Sequence, residues 1–202
     1  MQFIKVMSLS ALLVVVAACS SEPEVEVIDL DKVLDVTMNT MDQVQARTVA
    51  PVAGQPVDEA AKQKHLDEFN TQLTQNLNAA KIYSQPLATE VKRDGSFEGF
   101  VDTNQNLKED MGEAKLFIVE VDNERNRLIA TDTQQGYRRD HGFSMGGLAT
   151  GLLIGHLLSR QSAAGVQPSK FANAQMSPKG YHAAAVSSAK ARAGSGSFKS
   201  GK

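Results

Sequence analysis

Cys19 is the only cysteine in this 202-residue chain, and it closes the apolar run that ends Val15-Val16-Ala17-Ala18. That position limits how the rest can fold. No second thiol is present, so no intramolecular disulfide can staple the chain, even in an oxidising compartment. Stability must come from a packed core, yet only 5% of residues are aromatic and tryptophan is absent. The length suits one modest domain with extensions.

The first 18 residues have the zones of a secretory signal. Lys5 gives the positive start, Val6 to Val16 the short apolar segment, and Ala17-Ala18 the small residues before cleavage. The apolar segment falls well short of the roughly 20 residues a spanning helix needs. A cysteine directly after Val-Val-Ala-Ala resembles the lipobox of bacterial lipoproteins, a resemblance confined to the leader. It implies that Cys19 is the first mature residue, carrying a thioether-linked diacylglycerol and an acylated amino group. Several acyl chains together give the stable anchoring that one chain does not. Ser20 stands where an aspartate would imply inner-membrane retention, so the resemblance implies the outer membrane, on its periplasmic face.

Residues 19–28 read as an acidic tether whose charges hold the folded part off anionic headgroups. Residues 29–133 then read as a small α+β domain. Leu30, Val33, Leu34, Met38, Met41 and Val44 follow helical spacing, with Asp29 or Asp31 as cap. Val49 to Pro56 is a connecting loop. Leu66, Phe69, Leu73, Leu77 and Ala80 stripe a second helix that opens on Asp58-Glu59. His65 lies beside that stripe without a second ligand at metal spacing.

After Pro86 the period falls to two. Leu87 to Arg93 and Ser96 to Val101 flank the turn pair Asp94-Gly95, while Lys115 to Asp122 and Arg127 to Thr131 flank Asn123–Asn126. Two helices before four strands imply an antiparallel meander with one covered face and one wet face.

Between the second and third strands, Asp102, Asn104, Asn106, Asp110 and Glu113 present oxygens at positions one, three, five, nine and twelve of a loop. The carbonyl of Lys108 falls at position seven. This is similar to the calcium loop of the EF-hand family and implies a calcium site. Leu107 departs from the pattern, because the family has glycine at position six to make the sharp turn. The competing reading is an acidic hairpin loop without metal.

Charge separates the chain. All 23 acidic residues lie between Ser20 and Asp140 against 13 basic ones, while seven basic and no acidic residues follow. Residues 134–142 read as a polar linker. Asp140 and His141 beside Ser144 do not make a triad, since adjacency in sequence says nothing of orientation. No nucleophile–base pair or catalytic metal set is present, so a periplasmic enzyme is the least favoured class.

Residues 143–160 form an apolar stretch with Gly147, Gly151 and Gly155 four apart, a spacing that flattens one helix face. A helix on the membrane, a self-associating helix and a helix docked on the domain all fit this pattern. Residues 161–202 are rich in Ala, Ser, Gly and Lys and read as a disordered basic tail. Such a tail suits an anionic envelope polymer. Export makes nucleic acid irrelevant as a physiological partner.

Overall fold

The computed structural model describes residues 26–47, 58–143 and 152–194. The signal segment 1–18, residues 19–25, Val49 to Pro56, Gly147 and Gly151 lie outside them.

The architecture is α+β: helices packed on a five-stranded antiparallel sheet of order β1-β2-β3-β4-β5. The strands are β1 (Leu87–Val91), β2 (Phe97–Val101), β3 (Lys115–Asp122), β4 (Arg127–Asp132) and β5 (Arg138–Gly142). Helices α1 (Leu30–Arg47) and α2 (Glu59–Ala79) cover one face. Asp29 caps α1 by accepting from Lys32 N (3.3 Å), and Asp58 caps α2 by accepting from Ala60 N (3.3 Å). The apolar stripes do what their spacing predicts. Leu30, Val33, Leu34, Met41 and Val44 from α1 meet Leu66, Phe69, Leu73 and Leu77 from α2 in one core. Phe69 packs on Phe97 of β2 at 4.9 Å between ring centroids. Ala80, counted in the α2 stripe from sequence, is exposed just past the helix end.

The Asp94-Gly95 turn forms as its residues imply. Gly95 has φ +73°, and a Cβ there would meet the Leu157 carbonyl at 2.4 Å, so both conformation and close approach require glycine.

The linker expected over 134–142 is instead a turn and a strand. Arg138–Gly142 pairs with β4 throughout, from Thr131 opposite Arg138 to Arg127 opposite Gly142. Its Arg-Arg-Asp-His sequence hides the strand, because neither face is apolar. Arg139 Nε donates to Asp31 on α1 (2.7 Å) and Arg127 Nη1 to Asp140 on the other face (2.7 Å). Ion pairs replace apolar burial as the signal of its two faces.

The tail expected to be disordered from 161 carries structure through 194. Helix α3 (Leu152–Ala163) places Leu153, Ile154 and Leu157 in the core, and Gln161 Nε2 donates to the Val121 carbonyl (3.1 Å). Thus residues 152–163 follow the docked-helix reading. Among the described residues, nothing lies within 4 Å of where a Cβ at Gly155 would stand. The short α4 (Ser169–Ala172) crosses the outer face of the sheet, with Lys170 paired to Glu120. Ser177 N then donates to the Arg138 carbonyl (2.7 Å) at the β5 edge. Finally α5 (Tyr181–Gly194) returns to the start of α1. The Tyr181 hydroxyl donates to Ile28 O (3.0 Å) and accepts from Leu30 N (2.7 Å). Composition missed this because a few anchors, Phe171 and Tyr181, hold a segment otherwise made of small residues.

The outer face is therefore not simply wet. Ala88, Phe100 and Ile129 are buried on it, and every residue of β2 is buried. Both sheet edges are occupied. Along β1, Asn78 and Thr74 of α2 take the Leu87 and Thr89 amide protons; along β5, Ser177 does the pairing. Covering edges in this way prevents pairing with another chain. Among the described residues, no helix is long and apolar enough to cross a membrane.

Candidate functional site

An antiparallel meander sends alternate connections to the same end. β1 begins, β2 ends, β3 begins, β4 ends and β5 begins at one end of this sheet. The chain also enters there. Glu26 accepts from Ser84 N (2.9 Å) and from the Ser84 hydroxyl, and Tyr181 of α5 packs against Tyr137 in a tilted ring contact, 5.0 Å between centroids. Two residues past Ser84, the Pro86 carbonyl accepts from Asp102 N (3.0 Å). The base of the Asp102–Glu113 loop thus sits beside the point where residue 26 enters the fold.

The loop is wound on its own carboxylates. Buried Asp102 accepts from Asn106 N and Leu107 N, both at 3.0 Å. Glu113 accepts from Thr103 N (2.9 Å) and Asp110 N (3.0 Å). The Asn104 and Asn106 carboxamide oxygens take Asn106 N (3.1 Å) and Lys108 N (2.8 Å). Leu107 stands at φ +62° and Gln105 at φ +58°. Leucine therefore adopts the left-handed turn that glycine would make freely, at a cost of about 1–2 kcal/mol.

The order of donors matches the calcium pattern, but their arrangement closes inward. Asn104 Nδ2 and Asn106 Nδ2 both donate to Asp110 Oδ2 at 2.7 Å, so amide protons occupy that carboxylate. Among the described residues, no three His, Cys, Asp or Glu side chains gather to hold a metal ion. In this arrangement the amide N–H groups of Asn104 and Asn106, not their oxygens, face Asp110. The two amides would have to turn before Asp110 faced a cation.

Beside the loop lies a charge cluster that sequence reading did not find. Lys92 Nζ sits 2.8 Å from Glu90, 3.2 Å from Glu98 and 2.8 Å from Glu109. Lys115 Nζ reaches Glu98 Oε1 at 2.5 Å and Glu109 at 3.1 Å. The Glu98 Oε1 contact is an ion pair without hydrogen-bond alignment. Burial works against the charge on Lys92, but hydrogen bonds from it to Glu109, Glu90 and Glu98 more than offset that and hold its ammonium well above the usual lysine range. Glu90 and Glu98 are cross-strand partners, a like-charge pair that destabilises a sheet unless a cation lies between them. The signal was present: the Asp94-centred hairpin places Glu98, alone among apolar neighbours, opposite Glu90. The cluster is a structural brace, with every charge engaged.

Asp140 and His141 face opposite sides of β5. The first binds Arg127, and the second lies 3.3 Å from Asp35 of α1. A cavity of about 370 Å³ opens between the β3–β4 turn and the α3–α4 segment. Of its polar lining residues, Asp122 is held by Arg127 (2.8 Å) and Gln161 by the Val121 carbonyl (3.1 Å), and Asn123, Glu124, Ser162 and Gln167 also line it. The described residues present three large apolar side chains at the surface: Leu107 (56% exposed) and Met111 (fully exposed) on the 102–113 loop, and Val186 (42%) on α5.

No family model, curated protein or solved structure matches this chain.

Proposed function

We propose that this chain is a lipid-anchored lipoprotein of the bacterial outer membrane, facing the periplasm and acting as a structural or binding module rather than an enzyme. The observation that carries this reading is Cys19, the sole cysteine, directly after Val-Val-Ala-Ala at the end of a complete signal segment. Cleavage before Cys19 leaves seven residues before Glu26, where the described fold begins. The domain that follows offers covered edges and engaged charges, as suits a rigid carrier. Gly147, Gly151 and Gly155 give the segment for self-association, and the basic residues after Asp140 give affinity for anionic envelope polymers. Expression in a diderm bacterium tests the reading. The native chain fractionates with the outer membrane and incorporates labelled palmitate, whereas Cys19→Ala loses the label and leaves the membrane fraction.

A second reading, a calcium-binding module, is favoured by one observation: Leu107 makes the left-handed turn that its side chain disfavours. Titration of the protein with calcium, followed by amide shifts of Asn104 and Asn106, tests it. Turning of both side chains establishes the site, and unmoved resonances remove it.

A further inference from the structure

We propose that the Asp102–Glu113 loop is a second membrane contact, in which Leu107 and Met111 enter the bilayer leaflet that holds the acyl chains of Cys19. The inference rests on the lipoprotein reading. Seven residues from Cys19 to Glu26 span at most about 25 Å when fully extended. The end of the sheet at which residue 26 enters is therefore kept close to the bilayer. Glu26 is fixed there by Ser84, and Asp102 by Pro86 two residues on. The base of the loop consequently shares the membrane-facing end of the domain, while Glu109 reaches along the sheet to Lys92.

Its surface suits that position. Met111 is fully exposed and Leu107 more than half exposed, on a loop whose backbone is already held by Asp102 and Glu113. A preorganised loop loses little conformational freedom on binding. Its acidic groups are engaged within the protein: Glu109 pairs with Lys92 and Lys115, while Asp102, Asp110 and Glu113 accept N–H groups of the loop. Lys108 lies next to Leu107, where its stem can follow the apolar contact and its ammonium remain at the headgroups. A leucine at φ +62° is held in a conformation that glycine adopts more easily. The side chain's use lies outside the fold, since it packs on little within it. Glu22 and Glu24 in the tether oppose approach to an anionic surface, so the contact is apolar in origin and belongs to zwitterionic lipid.

Acylation consumes the only native thiol, which makes Met111→Cys a unique labelling position in the lipidated full chain. An environment-sensitive fluorophore is placed there, and the protein is reconstituted into phosphatidylcholine–phosphatidylethanolamine vesicles. The expected result is a blue shift and strong quenching by lipids with brominated acyl chains. A label at Glu124→Cys, exposed at the opposite end of the sheet, stays aqueous and unquenched. Adding Leu107→Gly relieves the left-handed turn, keeps the melting temperature or raises it, and still reduces quenching at position 111. An aqueous label at 111, on protein whose Cys19 acylation is verified by mass, overturns the loop contact and leaves the lipoprotein reading standing. Equal quenching at 111 and 124 also overturns it, because the domain then has no preferred end. An unacylated Cys19 overturns both.

Discussion

Asn78 binds both backbone groups of Leu87: its Oδ1 accepts the Leu87 amide proton at 3.0 Å and its Nδ2 donates to the Leu87 carbonyl at 2.7 Å. A side chain thus stands in for a neighbouring strand. Four residues earlier, Thr74 Oγ1 accepts from Thr89 N at 3.0 Å and contacts Thr89 Oγ1 at 2.8 Å. The polar side of α2 is a cover for the free edge of the sheet. Asn78→Ala is expected to lower unfolding free energy by about 1–2 kcal/mol, from two lost hydrogen bonds. It should also raise light scattering on heating, as an open edge invites pairing. Urea denaturation and scattering together check this.

Tyr181 ties the last described helix to the start of the first. Burial pushes its hydroxyl well above the usual tyrosine range, so it stays protonated and can donate to Ile28 O while accepting from Leu30 N. Tyr181→Phe keeps the ring contact with Tyr137 but leaves a buried N–H without its acceptor. The expected loss is about 1–3 kcal/mol. Hydrogen exchange should show faster exchange at the α1 start and in α5 together.

Gly99 lies opposite Phe117, and a Cβ at Gly99 would meet that ring at 2.2 Å. Gly99→Ala is expected to cost about 1–3 kcal/mol through overpacking. Phe117→Leu in the same chain should return part of the loss, a coupling that a double-mutant cycle measures.

Replacing Lys92 by methionine leaves Glu90 facing Glu98 with no cation between them. Glu98 is buried and keeps only Lys115, so a loss of about 2 kcal/mol is expected, below the full cost of stranding a buried charge. The same cluster sets an acid limit. Hydrogen bonds from Lys92 and then Lys115 hold the Glu109 carboxyl below its ordinary value of 4.5. The folded state therefore binds this proton less readily than the unfolded chain. Its stabilisation is present above about pH 4.5 and is lost as pH falls through the depressed value. Glu109→Gln should flatten that part of the stability profile between pH 5 and 3, as thermal melts across that range will show.

Much of the fold follows from periodicity. The 3.6-residue stripes of α1 and α2, the Asp94-Gly95 turn and the period-two runs around Asn123–Asn126 place six of the ten described elements, because those segments bury apolar faces in regular order. The β5 strand escaped because Arg139 and Asp140 form partly exposed ion pairs where an apolar face would announce a strand. The segment after Gln161 escaped because Tyr181 and Ser177 act over more than a hundred residues or through the backbone, and neither leaves a local pattern. At the loop, residue order showed the carboxylate wrap on Asp102 and the difficulty at Leu107. It could not show that Asn104 and Asn106 would turn their amides onto Asp110, since rotamer choice is settled by neighbours in space. Nor did it reveal that Met111 would stand fully in solvent.

Lipidation of Cys19 is decided by intact mass measurement of the mature protein from bacterial membranes. The mature chain is expected to begin at Cys19 and to carry the mass of a diacylglycerol and an amide-linked acyl group. A mature chain starting at another residue, or one with Cys19 as a free thiol, would contradict it.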